Sequence, residues 1–281
     1  MKKTLIALAA LGVVGAASAQ VTIYGVADVG MTSSGGATKV VSGVASTPRI
    51  GLKGSEDLGG GLSASFMVEA GYNNAAETAT TFGDRGASVS LGGGFGTLTL
   101  GASVLTPSFF AVAAAEPTGA ANYMPAQGAH WGASRADNSI NYATSIGAVT
   151  VRAAVVSKDD NSGQGITDVS AVYSANGLTI SAGSYMAATQ TTVFGAAYDM
   201  GTAKLYFLKS NNAKDQSTMG VSAPMGPLTF QAGIYKNNSA GTSTNLVAAN
   251  YALSKSTSVN TYYSAPKGSD ATLGVGIRHV F

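Results

Sequence analysis

Most of the chain repeats one rhythm. Segments of about ten residues alternate apolar with polar side chains, a length suited to a membrane-crossing strand, and Gly, Asn, Asp or Ser bounds most of them. In 61–72, GLSASFMVEAGY, one face carries Leu62, Ala64, Phe66 and Val68, and the other carries Ser63, Ser65, Met67 and Glu69. That is period two, the period of a β-strand. Residues 226–236 set Leu228, Phe230, Ala232 and Ile234 against Thr229, Gln231 and Tyr235, and 147–157 set Val149, Val151, Ala153 and Val155 against Thr150, Arg152 and Ala154. Leu273, Val275, Ile277, His279 and Phe281 share one face of 270–281. Sixteen such segments are predicted: 20–32, 46–54, 61–73, 83–92, 96–103, 136–145, 147–157, 166–175, 177–187, 190–200, 202–210, 215–224, 226–236, 243–253, 256–265 and 270–281.

The connections fall into two alternating sets. One is short, at 55–60, 93–95, Ile146, Asn176, Gly201, Met225 and Ser254-Lys255, with Asn176-Gly177 a clear hairpin signal. The other is mostly longer, at 33–45, 74–82, 104–135, 158–165, 188–189, 211–214, 237–242 and 266–269, the two-residue member fitting that set poorly. Short turns on one rim and longer loops on the other are the plan of an outer-membrane barrel. The expected fold is therefore all-β, a 16-stranded antiparallel transmembrane β-barrel. Its third long loop, 104–135, carries Pro107, Pro117 and Pro125 and is by far the longest. Such loops are usually functional, and folded inward it would narrow a wide aqueous lumen.

The first residues fix the compartment. Lys2 and Lys3 precede an apolar run that ends in Ala17-Ser18-Ala19, an A-x-A cleavage signal. Residues 1–19 are expected to be a signal peptide and 20–281 the barrel, the alternative being a retained anchor helix. The run is shorter than the ~20 residues of a spanning helix. Removing it leaves fourteen basic and fourteen acidic residues. A balanced charge argues against nucleic acid, which needs a basic face. Only 11% of the chain is charged, glycine numbers 37, and there is no cysteine. Weak hydrophobicity everywhere without a long apolar run is what alternating lipid-facing and lumen-facing residues produce.

Several runs resemble the general porins of β-proteobacteria and Neisseria: QVTIYGVADVG at the mature start, TPRIGLKGSEDLGGGLSASFMVE at 47–69, FGDRGASVSLGGGFGTLTLG at 82–101, RADNSINYAT at 135–144 and the terminal GVGIRHVF. Family members generally have larger surface loops. The resemblance implies a homotrimer in outer-membrane lipid and lipopolysaccharide that passes small ions and solutes. It also implies that the terminal Phe281 is read by the barrel assembly machinery.

A diffusion pore needs no catalytic group, only a narrow point with charges. Arg49, Lys53, Arg135 and Arg152 fall on the lumen phase of their predicted strands. The resemblance implies that Arg49, Arg85 and Arg135 form a basic cluster at the constriction, with Glu69 as its acidic partner. Glu116, on the long loop, is a candidate to face that cluster across the opening. Arg85 shares its phase with Ala87, Val89 and Leu91, so either those residues face the lumen or a bulge resets the alternation. The arginines imply a weak anion preference.

Other chemistry is sparse. With His130 and His279 as the only histidines and no cysteine, a zinc site would need unusual ligands; no metal or cofactor is expected. GGGFG at 92–96 lacks the Lys-Ser/Thr of a phosphate loop. Tyr24, Tyr72, Tyr142, Tyr173, Tyr198 and Tyr251 lie near predicted strand ends, as aromatic girdles do. Two rival functions stand beside the pore: an outer-membrane barrel hydrolase built on His130, and a structural barrel plugged by its long loop.

Overall fold

The structure, a computed structural model, describes residues 21–76, 81–116, 130, 132–157, 165–211 and 215–281. The strands of the first half are β1 (Thr22–Ser34), β2 (Ala37–Ser42), β3 (Arg49–Gly59), β4 (Leu62–Gly71), β5 (Gly86–Gly93), β6 (Gly96–Ala102), β7 (Val104–Leu105), β8 (Arg135–Ala136), β9 (Ser139–Ile146) and β10 (Val149–Val156). Helix α1 (Pro107–Ala115) lies between β7 and β8. The second half is an unbroken meander: β11 (Ile166–Ala175), β12 (Leu178–Met186), β13 (Thr191–Asp199), β14 (Lys204–Asn211), β15 (Gln216–Met225), β16 (Leu228–Asn237), β17 (Thr242–Ala252), β18 (Thr257–Pro266) and β19 (Thr272–Val280).

All of these strands except β7 and β8 join one sheet, which closes where β1 pairs antiparallel with β19 from Val26↔Val280 to Ser34↔Thr272. Gly25 and Phe281 add a reciprocal pair of backbone hydrogen bonds at 2.9 and 3.1 Å. β2 and β3 are two halves of one stave, because β1 pairs with β2 at Val29–Ser34 and with β3 at Thr22–Val26. The wall thus has the sixteen antiparallel staves that the alternation predicts. Closure matters physically: an unpaired N–H or C=O in the hydrocarbon costs several kcal/mol, and a closed barrel leaves no sheet edge.

The two faces follow the predicted phase. Val151 and Val155 on β10, Phe230 and Ile234 on β16, and Leu273, Val275 and Ile277 on β19 are exposed on the outside. Residues of the opposite phase, such as Ala154 and Gln231, are buried from the inside. Tyr142, Tyr173, Tyr198 and Tyr251 also stand exposed on the outer face.

The rims differ from the sequence reading in six places. The expected loop 33–45 is mostly strand, because Gly35 and Gly36, at φ of 56° and 81°, close a two-residue turn. The expected strand at 46–54 begins only at Arg49, after Gly43–Pro48 has left the wall. Pro48 has no N–H for the ladder, and the N–H groups of Val44, Ala45 and Ser46 go instead to the buried Asp28 carboxylate at 2.7–3.0 Å. The turn expected at 55–60 is paired strand up to Asp57↔Ser63 and Gly59↔Leu62, since polar Ser55-Glu56-Asp57 lies at a watery rim where the ladder tolerates it. The connection at 188–189 lengthens to 187–190, between Met186 and Thr191. Finally, β5 starts at Gly86 because 82–85 is a turn, and the strand expected at 136–145 splits into β8 and β9.

Two segments fill part of the interior. Ala45, from the inward excursion of the second stave, packs in the buried apolar cluster with Leu246, Ala248 and Tyr262. Helix α1 packs against β11, β12 and β13. It does so on the face that carries Asp168 and Ser181, opposite the exposed Val169, Ile180 and Phe194, so the first part of the long loop lies inside the barrel. The signal peptide at 1–19, Pro117, Pro125 and most of the loop 158–165 lie outside the described residues.

Candidate functional site

The inner wall gathers its charge around one carboxylate. Glu69 carries the last inward side chain of β4, only glycine following it in that phase, and is only 7% exposed. Arg85 Nε stands 2.9 Å from its Oε1, Arg135 Nη2 3.7 Å from the same oxygen, and Arg49 Nε 3.6 Å from Oε2. The Tyr24 hydroxyl donates to Oε2 at 3.0 Å. Three guanidinium groups on one carboxylate leave two net positive charges. At an effective dielectric of 20, opposite unit charges 4 Å apart attract by about 4 kcal/mol and like charges repel by as much. Glu69 is therefore what lets three arginines converge.

Each arginine arrives by a different route. Arg49 opens β3, and its Nη1 donates to Ser46 Oγ at 3.2 Å and the Thr47 carbonyl at 3.0 Å, both in the inward excursion. Arg85 belongs to the turn before β5. Its N–H reaches the Glu69 carbonyl at 3.1 Å, while Val89 and Leu91 remain exposed to the outside. A turn, rather than a bulge or an inverted strand, thus resolves its phase. Arg135 sits on β8, which pairs with β7 in a ribbon separate from the wall, not on the wall strand that its sequence suggests. Its Nη1 donates to the carbonyls of Arg85 and of Ser103, the latter at 3.0 Å.

The remaining candidates scatter around this cluster. Lys53 stands over the Tyr24 ring, 5.1 Å from its centroid, and so joins the cluster through that tyrosine. Arg152 lies elsewhere, its guanidinium 4.3 Å from the ring centroid of Phe110 on α1. Glu116 forms the C-cap of α1, its N–H donating to the Val112 carbonyl at 3.1 Å. It is 4% exposed, so its side chain belongs to the buried contact of the helix and not to the open rim.

Sequence reasoning missed the supports. Tyr24 and Tyr72 were expected in a girdle, yet Tyr24 bonds Glu69 and the Tyr72 hydroxyl donates to the Val26 carbonyl at 3.0 Å. The phase of Tyr24, shared with Val26 and Asp28 and opposite to Ile23 and Val29, carried that signal. Asp28 was missed as well; its phase places it inward, but nothing local shows that it binds a segment sixteen residues on.

Helix α1 is locked to the wall by polar contacts. Thr106 caps it, accepting from Phe109 N–H at 3.3 Å, and Pro107 opens it, a favoured place for proline. The Asp168 carboxylate accepts Ser108 N–H at 3.1 Å and Ser108 Oγ–H at 2.5 Å, a negative charge at a helix N-terminus. Ser181 Oγ donates to the Ala111 carbonyl at 2.6 Å. Further along the loop, fully buried His130 bridges Ser210 Oγ at 2.9 Å and Thr218 Oγ1 at 2.8 Å. Burial, and then the charge of Lys209, push its pKa down to about 4, so the ring is neutral at pH 7.

A closed barrel with an apolar outer face, a polar inner face and a cluster of arginines inside it is a transmembrane channel of the outer-membrane type. A profile of the Gram-negative porin family matches residues 4–271, and the chain belongs to that family. It is an outer-membrane general diffusion porin, and its family relatives are channels. The outer membrane porin protein 32 of Delftia acidovorans is 31% identical over 333 aligned positions, covering all of this chain and 94% of the relative. The major outer membrane protein P.IB of Neisseria gonorrhoeae is 40% identical over 111 positions, 36% of this chain and 32% of that protein. Among solved structures, the anion-selective porin from Comamonas acidovorans superposes with a TM-score of 0.79 at 24% identity, covering 94% of this chain and all of that one. A triple mutant of Rhodopseudomonas blastica porin gives 0.77 at 18%, covering 93% and all. At these identities the solved structures speak for the fold.

Proposed function

We propose that Glu69 and the arginines it gathers, Arg49, Arg85 and Arg135, form the charged side of the pore constriction, and that the channel passes small hydrophilic solutes and ions with a weak preference for anions. The observation that carries this reading is the excess of three guanidinium groups over one carboxylate on the inner wall. Lys53 extends the positive side. Helix α1, packed on β11, β12 and β13, supplies the opposite side. A ring of cationic side chains favours anions, and screening over a Debye length of about 10 Å at 0.1 M salt keeps the preference weak. The working unit is a homotrimer in lipid and lipopolysaccharide. The chain is exported by cleavage after Ala19 and is recognised by the assembly machinery at Phe281, whose backbone seals the barrel seam.

No catalytic role is assigned. His130 and Ser210 are hydrogen-bonded, but both are fully buried, and no carboxylate orients the ring among its described partners. The test is single-channel current across a planar bilayer with a salt gradient. Steps in groups of three with a reversal potential on the anion side are expected. A cation-side potential overturns the charge reading, and a folded protein without current overturns the channel in favour of a plugged barrel.

A further inference from the structure

Between α1 and the wall from β4 to β10 lies a recess of about 320 Å3. Leu105, Pro107 and Phe110 border it from the long loop, Ser90 and Thr99 from the barrel wall, and Arg152 of β10 also lines it. It reaches toward the short-turn rim, since Thr97, the first inward position after the Gly94-Phe95 turn, also borders it. It is distinct from the Glu69 cluster, whose three arginines contribute nothing to its lining.

Arg152 is the feature that asks for a ligand. It is half-buried, and among the described residues its guanidinium interacts only with the ring of Phe110, 4.3 Å from the centroid. It has neither an ion pair nor a hydrogen bond there, whereas Arg49, Arg85 and Arg135 all share Glu69. The inward carboxylate on the next strand, Asp168, sits opposite Ala154 and is engaged by Ser108. Ser90 Oγ and Thr99 Oγ1 satisfy one another at 2.8 Å, so that part of the wall offers methyl and methylene surface, beside the polar Ser88, Thr97 and Asn141. A guanidinium over an aromatic ring spends none of its N–H groups on that contact, and a carboxylate or phosphate binds two of them in a fork.

We propose that this recess is a solute-binding subsite for a small organic anion that carries an apolar body, an aromatic carboxylate being the simplest member of the class. The anionic group meets the N–H edge of Arg152, and the ring or hydrocarbon lies under Leu105, Pro107 and Phe110. The volume stands at the lower end of the ~300–1,000 Å3 range of small-molecule sites, which suits a single-ring molecule. The subsite's use in transport rests on the channel reading above; binding itself does not.

The test uses benzoate, acetate and benzyl alcohol as probes on the purified full-length protein, by calorimetry in detergent and by current block in a bilayer. Benzoate should bind and interrupt current, and acetate and benzyl alcohol should bind at least about tenfold more weakly, a factor equal to about 1.4 kcal/mol. Arg152→Gln and the space-filling Thr99→Leu should each weaken benzoate about tenfold or more while leaving open-channel steps in chloride present. Arg49→Gln should leave benzoate affinity unchanged. Acetate binding as well as benzoate overturns the apolar subsite. Loss of benzoate in Arg49→Gln with retention in Arg152→Gln places the anion at the Glu69 cluster and overturns it as well. Benzoate binding by calorimetry without any current would sink the channel reading alone, and no binding in a conducting channel would sink the subsite alone.

Discussion

Arg85 is joined to Glu69 twice, by its Nε to Oε1 at 2.9 Å and by its backbone N–H to the Glu69 carbonyl at 3.1 Å. The turn at 82–85 therefore serves as a bracket that holds one guanidinium on the carboxylate, while Arg49 and Arg135 approach from other segments. Glu69→Gln leaves three cations with no anion between them. The reversal potential in a salt gradient should move further to the anion side, and urea unfolding should need less denaturant, by about 1–3 kcal/mol for the uncompensated buried groups. A shift toward cations would show that Glu69 does not set the field.

Arg49 tests the same field from the other side. Arg49→Gln removes one positive charge but keeps groups able to meet Ser46 and the Thr47 carbonyl. We predict a smaller anion preference with the β-content by circular dichroism unchanged. An unchanged reversal potential would place the selectivity elsewhere.

The wall was legible in the sequence because lipid imposes a constraint on every second residue. Ile277 or Phe230 must be apolar, so the alternation reports the outer face directly. The inner face is written in water and is free of that constraint. Glu69 and Arg49 were read from phase and family runs, and the structure brings them within 3.6 Å. The route of Arg135 through a ribbon inside the barrel was not legible, because the β7–β8 pairing joins residues thirty or more apart with no local pattern. Ser46–Pro48 was misread as strand for the same reason: the inward turn it belongs to depends on Asp28, on another stave. Arg85 was the instructive conflict, since its wrong phase marked a turn.

Asp28 holds the inward excursion through three backbone N–H groups. Asp28→Asn keeps one carbonyl oxygen and replaces the other with a donor, which faces N–H groups. The segment should detach, carrying with it the Ser46 and Thr47 supports of Arg49. Larger and noisier single-channel steps are expected, with a loss of roughly 1–3 kcal/mol in stability. Conductance identical to wild type would mean that the segment stays in place without the carboxylate.

Helix α1 comes close to the wall where β13 has a glycine. A Cβ on Gly195 would fall 2.6 Å from Ala115 Cβ and 3.0 Å from Leu208 Cδ2, inside contact distance on both sides. Gly195→Val should push the end of α1 off the wall, since overpacking a tight contact costs typically 1–3 kcal/mol. The expected sign is a changed conductance with β-content by circular dichroism preserved. Unchanged current would show that the helix end does not bound the pore.

His130 gives the channel an acid-sensitive contact. Its ring bridges Ser210 and Thr218, faces the Tyr235 ring edge-on, and lies near the Lys209 ammonium, which itself pairs with Asp215. The pKa is lowered from 6.5 to about 4 in the folded state by burial first and Lys209 second. Between those values the unfolded chain binds more protons than the folded one, so the contribution is intact above about pH 6.5 and is lost as pH falls through about 4. At 1.36 kcal/mol per unit the loss is on the order of 3 kcal/mol. Trp131 is the sole tryptophan and adjoins His130, so its emission reports on this part of the loop. A change in emission is expected between pH 6.5 and 4 in the wild type and should be absent in His130→Gln, which can still donate and accept but does not titrate. A transition that persists in His130→Gln would assign the acid response to another group.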